Sequence, residues 1–121
     1  MTFECNCGSA FLLSGHLWVI TSVPFESPEK VIIVFLTSKK AHSDTTVVLS
    51  PEDHDFIKHP TVISYADARI EHSDHIMKRI EERDYDPRKS FSGDVVKTIQ
   101  QGLIDSPYTP RYIKDAFLAN R

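Results

Sequence analysis

The sequence predicts an α+β domain: a small, strongly bent antiparallel sheet or barrel followed by C-terminal helices. Three observations lead there. The first half holds short apolar runs rich in β-branched and aromatic residues, separated by polar connectors. The second half changes to apolar residues recurring at three- and four-residue spacing, the period of a helix face. The whole chain, 121 residues with 40% hydrophobic and 26% charged, has the size and balance of one globular domain. The β part is expected over about residues 1–71 and the helical extension, packed on it, over about 72–121.

Taken in order, "FLLSGHLWVITSV" gives two apolar stretches around Ser14-Gly15, and the connector "SVPFESPEK" carries two prolines. "KVIIVFLTS" is a continuous apolar run, the pattern of a strand buried on both faces. After the polar "SKKAHSD", "TTVVLS" supplies a further strand and "TVISYADARI" one or two more. Four to six short strands with tight connections suit a bent sheet or barrel. "SDHIMKRIEERD" begins a helix with Ser73 as N-cap and Ile76, Met77 and Ile80 on one side. "SGDVVKTIQQGLI" follows, with Ser92 as N-cap, Asp94 in the first turn, and Val95, Val96, Ile99 and Leu103 forming its stripe. "TPRYIKDAFLANR" places Thr109 at the cap and Pro110 at the first helical position, with Ile113, Ala116 and Phe117 inward. "RDYDPRKSFS", residues 83–92, reads as the longest loop.

Composition narrows the function classes. The formal net charge is −3, so this is no general nucleic-acid coater; contact with RNA or DNA requires a local basic patch. The longest apolar run, "VIIVFL", is far short of the ~20 residues a membrane span needs, and no secretory leader is visible. The expected location is the cytoplasm, with no membrane partner. Cys5 and Cys7 are too close for an easy disulfide and have no second Cys/His pair at zinc spacing, so they are expected as reduced, incidental thiols near a mobile terminus.

The densest chemistry lies in "SPEDHDFIKHPTVISYADARI", residues 50–70. Ser50, Pro51, Glu52 and Asp53 suit the start of a brief helical turn, and Pro60 ends any helix and extends His59. His54, Lys58 and His59 therefore ride on a helical or looped excursion between strands, where a rigid sheet often presents binding groups. A metal site does not fit: His54 and His59 are five residues apart, turned about 140° from one another on a helix and onto opposite faces of a strand. His72 and His75 sit at a helix start and read as solvated surface. Acid–base work suits the residue types better. Imidazoles exchange protons near neutral pH, Lys58 or Arg69 can hold a phosphate or a developing negative charge, and Tyr65 can stack or donate. The competing reading is a hydrated loop whose Phe56 and Ile57 plug the core.

The runs "GHLWVITSV", "KVIIVFLTS" and "DTTVVLSPEDHDFIKHPTVISYADARI" resemble the PemK/MazF-like toxin group. They are more closely similar to a branch of small bacterial proteins marked by a strand ending in "LTS", then "DH-FI-H" and "Y--AR". The likeness spans residues 15–70, and the tail "SGDVVKTIQQGLIDSPYTPRYIK" is similar to how that branch ends. It implies an SH3-like β-barrel with added helices, commonly a homodimer, with metal-independent endoribonuclease activity as the toxin of a toxin–antitoxin pair. Where the wider family starts a strand with a catalytic Arg-Pro pair, this chain has His16 and Leu17. The family's Ser/Thr after the next strand corresponds to Thr37 and Ser38.

Under that resemblance His16 and either His54 or His59 act as base and acid. Lys58 or Arg69 stabilises charge, and Thr37 or Ser38 donates to a phosphate oxygen. Trp18 and Tyr65 are candidate platforms for the bases of single-stranded RNA, Trp18 having a core role as its competing reading. No cofactor or metal is expected. The alternative function is a non-catalytic SH3-like module that binds a disordered, antitoxin-like segment along a sheet edge. A third reading, DNA binding through Arg111, Lys114 and Arg121 of the last helix, competes with a solvated helix face.

Overall fold

The computed structural model describes residues 3–121. Among them, seven strands form one antiparallel sheet: β1 (Ala10–Leu13), β2 (His16–Ile20), β3 (Lys30–Ser38), β4 (Val48–Leu49), β5 (Thr61–Ile63), β6 (Arg69–His72) and β7 (Asp86–Arg88). Three helices accompany it, α1 (Ser73–Glu81), α2 (Gly93–Asp105) and α3 (Arg111–Asn120). No helix among the described residues is long and apolar enough to cross a membrane.

β3 is the hub. Its middle pairs with β2, with Trp18 opposite Phe35 and Ile20 opposite Ile33. Along its other side it pairs first with β6 and then, from Leu36 to Ser38, with β5. A short 3₁₀ turn (Tyr65–Asp67) separates β5 from β6, so "TVISYADARI" does yield two strands. The ladder ends at β4 on one side and β7 on the other, leaving the sheet open where a closed barrel was expected. Both end strands are poor partners for closure. β4 has two residues, and the middle of β7 is Pro87, which has no N–H to donate.

Side chains alternate across the sheet and build a core on each face. On β2 and β3, Leu17, Val19, Ile32 and Val34 face one way, and α2 and α3 cover them with Val96, Ile99, Leu103, Ile113 and Phe117. Trp18, Ile20, Val31 and Ile33 face the other way, against Phe11 and Ile76 of α1. The result is helix, sheet, helix, with β3 buried on both sides, as its unbroken apolar run predicts. The helices bury the apolar side chains of both faces, while the edges of the sheet stay open.

The split at residue 71 needs one correction: β7 returns to the sheet after α1 and pairs with β1, inside the stretch read as loop. Helix starts shift by one residue. His72, not Ser73, occupies the cap of α1, and Pro110, not Thr109, that of α3. Ser92 caps α2 as its sequence implies, accepting from the Val95 N–H at 3.3 Å. Ser50 starts a turn and not a helix: its N–H donates to Asp53 Oδ2 at 2.8 Å, and its carbonyl accepts from the Asp53 N–H.

The cysteines are not loose terminal thiols. Cys5 packs in the α1-side core, and Cys7 accepts a hydrogen bond from Gln100 Nε2 at 3.3 Å. Burial, helped by the nearby Glu29 and Asp74 charges, pushes the Cys5 thiol up to about 11. Burial likewise raises Cys7, although the Gln100 bond opposes it. Only the thiolate reacts. At pH 8 both are therefore expected to label with a maleimide much more slowly in the native protein than in urea, as intact mass would show; equal rates would contradict this packing.

Candidate functional site

His16 follows a two-residue hairpin turn in which Ser14 (φ 52°) and Gly15 (φ 81°) both lie in the left-handed region, as a type I′ turn requires. The turn delivers His16 to the rim of the sheet, opposite Leu13 and beside β3. Its ring lies 4.6 Å from that of Phe35, and Nδ1 is 3.2 Å from the Leu36 carbonyl. A carbonyl only accepts, so Nδ1 carries a hydrogen and the neutral ring has its lone pair on Nε2.

Residues 55–60 arch over the same rim, and a cleft of about 270 Å³ opens between them and the end of β3. Gly15, His16, Thr37, Ser38, Phe56, Lys58 and His59 line it. Ser38 Oγ and His59 Nε2 are 2.7 Å apart, an exposed hydroxyl–imidazole pair. Depending on the tautomer, the hydroxyl donates to the ring or the ring to the hydroxyl, so a proton can pass either way. Five expected site residues thus meet in one place: His16, Thr37, Ser38, Lys58 and His59.

The other four do not join them. His54 is 8% exposed, with Nε2 2.6 Å from the Lys89 carbonyl and Nδ1 accepting the Phe56 N–H at 3.0 Å. Its ring packs on Phe91 at 4.4 Å. Both nitrogens are used by backbone, so His54 ties the arch to the segment before α2. Tyr65 is fully buried and donates to the Ile99 carbonyl at 2.7 Å. Burial holds its phenol far above the ordinary range. Trp18 is also buried, and the Arg69 guanidinium lies 4.4 Å over its ring, a cation–π contact that fixes both away from the cleft. Of the two residues expected to plug the core, Ile57 does so but Phe56 is 38% exposed and forms part of the cleft wall.

Two further depressions continue the cleft. One shares His59 and adds Lys39, Lys40 and Pro60; the other shares Phe56 and Lys58 and adds Arg88, Lys89, Asp55 and the edge of the backbone-bound His54. Arg88 is paired with Asp86 at 2.8 Å and Lys89 loosely with Asp55 at 3.4 Å. Among the described residues Lys39, Lys40 and Lys58 make no ion pair. The Lys39-Lys40 doublet read only as part of a polar connector and Phe56 only as a core plug, so neither was expected at the cleft. The available signal was two lysines directly after "LTS". No three His, Cys, Asp or Glu side chains among the described residues converge as a metal site. Comparison of the chain with protein-family models, curated proteins and solved structures gives no match.

Proposed function

We propose that the cleft binds single-stranded RNA and cleaves its backbone without a metal ion. The supporting observation is a separation of charge. On a chain of net charge −3, three unpaired lysines and the His16 and His59 imidazoles line adjoining depressions that share residues, beside an exposed phenyl ring. Phosphates would follow the lysines, and an unstacked base would rest on Phe56.

In this reading His16 Nε2 takes the 2′-OH proton, and the 2′ oxygen attacks the adjacent phosphorus in line. Lys58 and the Thr37 hydroxyl stabilise the phosphorane oxygens. The bond from phosphorus to the 5′ oxygen breaks, and the His59–Ser38 pair delivers the proton that oxygen needs. The products are a 2′,3′-cyclic phosphate and a 5′-hydroxyl. His16 here fills the place of the family's catalytic arginine as a base, not as a charge stabiliser.

The resemblance extends the proposal to a homodimer in the cytoplasm, an antitoxin-like partner and an SH3-like ancestry for the bent sheet. One observation favours the alternative of a binding module: the sheet edge at β4 is open and leaves the apolar Val48 47% exposed, although only two residues of strand are there to pair. Purified protein and end-labelled single-stranded RNA in EDTA decide between the two. Fragments ending in a 2′,3′-cyclic phosphate are expected; no turnover above a protein-free control sinks the nuclease and leaves the edge as the working surface.

A further inference from the structure

Across Thr37 from the basic cleft lies a second one, of about 290 Å³, with a different character. Its walls include Val62, Ala66 and the ring of Tyr108, which is 61% exposed. Its polar groups include the Asp44 carboxylate and the His42 imidazole, and no lysine or arginine. Ser106, fully buried, organises this end: its hydroxyl donates to Asp44 Oδ2 at 2.7 Å and accepts the Tyr108 N–H at 3.1 Å. Asp44 Oδ1 already accepts from the Thr46 N–H and hydroxyl, at 3.0 and 2.6 Å. Each carboxylate oxygen accepts about two hydrogen bonds, so Oδ2 keeps one open position. Burial alone would raise the Asp44 carboxyl, but the Ser106 and Thr46 bonds outweigh it and hold the group below its usual range, hence ionised at neutral pH.

An anionic acceptor beside an exposed aromatic ring repels phosphate and suits a flat heterocycle bearing an N–H. We propose that this second cleft is a nucleobase subsite: Tyr108 stacks on a base and Asp44 Oδ2 accepts one of its N–H groups. The proposal rests on the nuclease reading in one respect, that the phosphate of the same nucleotide lies on the lysine side of Thr37. One strand would then be read by two clefts of opposite character, the sugar–phosphate on one side of the Thr37 wall and the base on the other.

The test titrates the ¹⁵N-labelled 121-residue chain with AMP, GMP, CMP and UMP, and with ribose 5-phosphate as a probe that has no base. Nucleotides are expected to shift the amides of Ser64, Ala66 and Tyr108 as well as those of Ser38 and His59, whereas ribose 5-phosphate should move only the latter. Tyr108→Ala should weaken nucleotide binding about tenfold, Tyr108→Phe should restore it, and neither should change binding of ribose 5-phosphate. The subsite is overturned if no nucleotide moves the Ser64 to Tyr108 signals, or if those shifts survive Tyr108→Ala. Should nucleotides move them while ribose 5-phosphate leaves Ser38 and His59 untouched, the base subsite stands and the phosphate side of the nuclease reading falls.

Discussion

His59→Ala should lower RNA cleavage roughly 10²- to 10⁴-fold, the usual loss when a positioned proton donor is removed. Unfolding should barely change, since the ring is exposed and its partner Ser38 is accessible to water. His16→Ala should cost a similar factor. His54→Ala should behave in the opposite way. It removes a buried ring that packs on Phe91 and leaves both the Lys89 carbonyl and the Phe56 N–H without partners. A loss of about 2–3 kcal/mol is expected from the cavity and the orphaned groups. At a temperature where the variant is still folded, cleavage should fall only as far as the arch loosens. Urea denaturation and initial rates on the three variants separate these patterns. If His54→Ala eliminates turnover at undiminished stability, the proton-transfer roles given to His16 and His59 are wrong.

The contrast between His54 and His59 also shows where a sequence stops being legible. On paper the two are alike: both belong to one polar, proline-bounded stretch, and both fit acid–base work. What distinguishes them is that residues 89–91 return beside one and not the other, a contact 35 residues away in the chain with no local signature. β7 was hidden for a related reason. Three residues centred on a proline carry no strand signal; the ladder with β1 and the neighbouring stack of Tyr85 on Phe11 at 4.9 Å hold the segment to the sheet. By contrast β2, β3 and α2 were plain, because their periodicity is itself the record of which faces are buried. The ends of α1 and α3 slipped by one residue: Ser73 Oγ and Thr109 Oγ1 are buried without a hydrogen-bond partner, so neither serves as the cap its identity suggested. The cleft was half legible. Residue types pointed to Lys58 and His59 and the family resemblance to His16, Thr37 and Ser38, but their convergence depends on the hairpin turn and on the arch folding back over β3. Trp18 and Tyr65 have the chemistry of platforms and the burial of core residues.

Gly102→Ala is expected to destabilise the protein by about 2 kcal/mol, reversing the sign that helix propensity alone assigns. In an unconstrained helix interior the same change stabilises by about 1 kcal/mol, because alanine loses less backbone freedom. Here an added methyl would press into the Tyr65 hydroxyl and lie 2.5 Å from Val47 Cγ2 and 2.8 Å from Tyr65 Cζ, all closer than real contacts allow. The tyrosine cannot swing away, since its hydroxyl is tied to the Ile99 carbonyl on the same helix and its ring is fully enclosed. α2 must therefore lift from the sheet or Tyr65 must give up its bond. Either movement also disturbs β5, whose Thr61 forms part of the cleft floor and whose partner in β3 is Ser38. Val47→Ala opens space on one side of the new methyl, so in a double-mutant cycle it should recover part of the loss although it is itself destabilising. Chemical denaturation of the four proteins measures this directly. A Gly102→Ala protein at least as stable as the parent would mean that α2 does not pack against Tyr65 at this distance. The seating of β5 beneath the cleft would then need a different support.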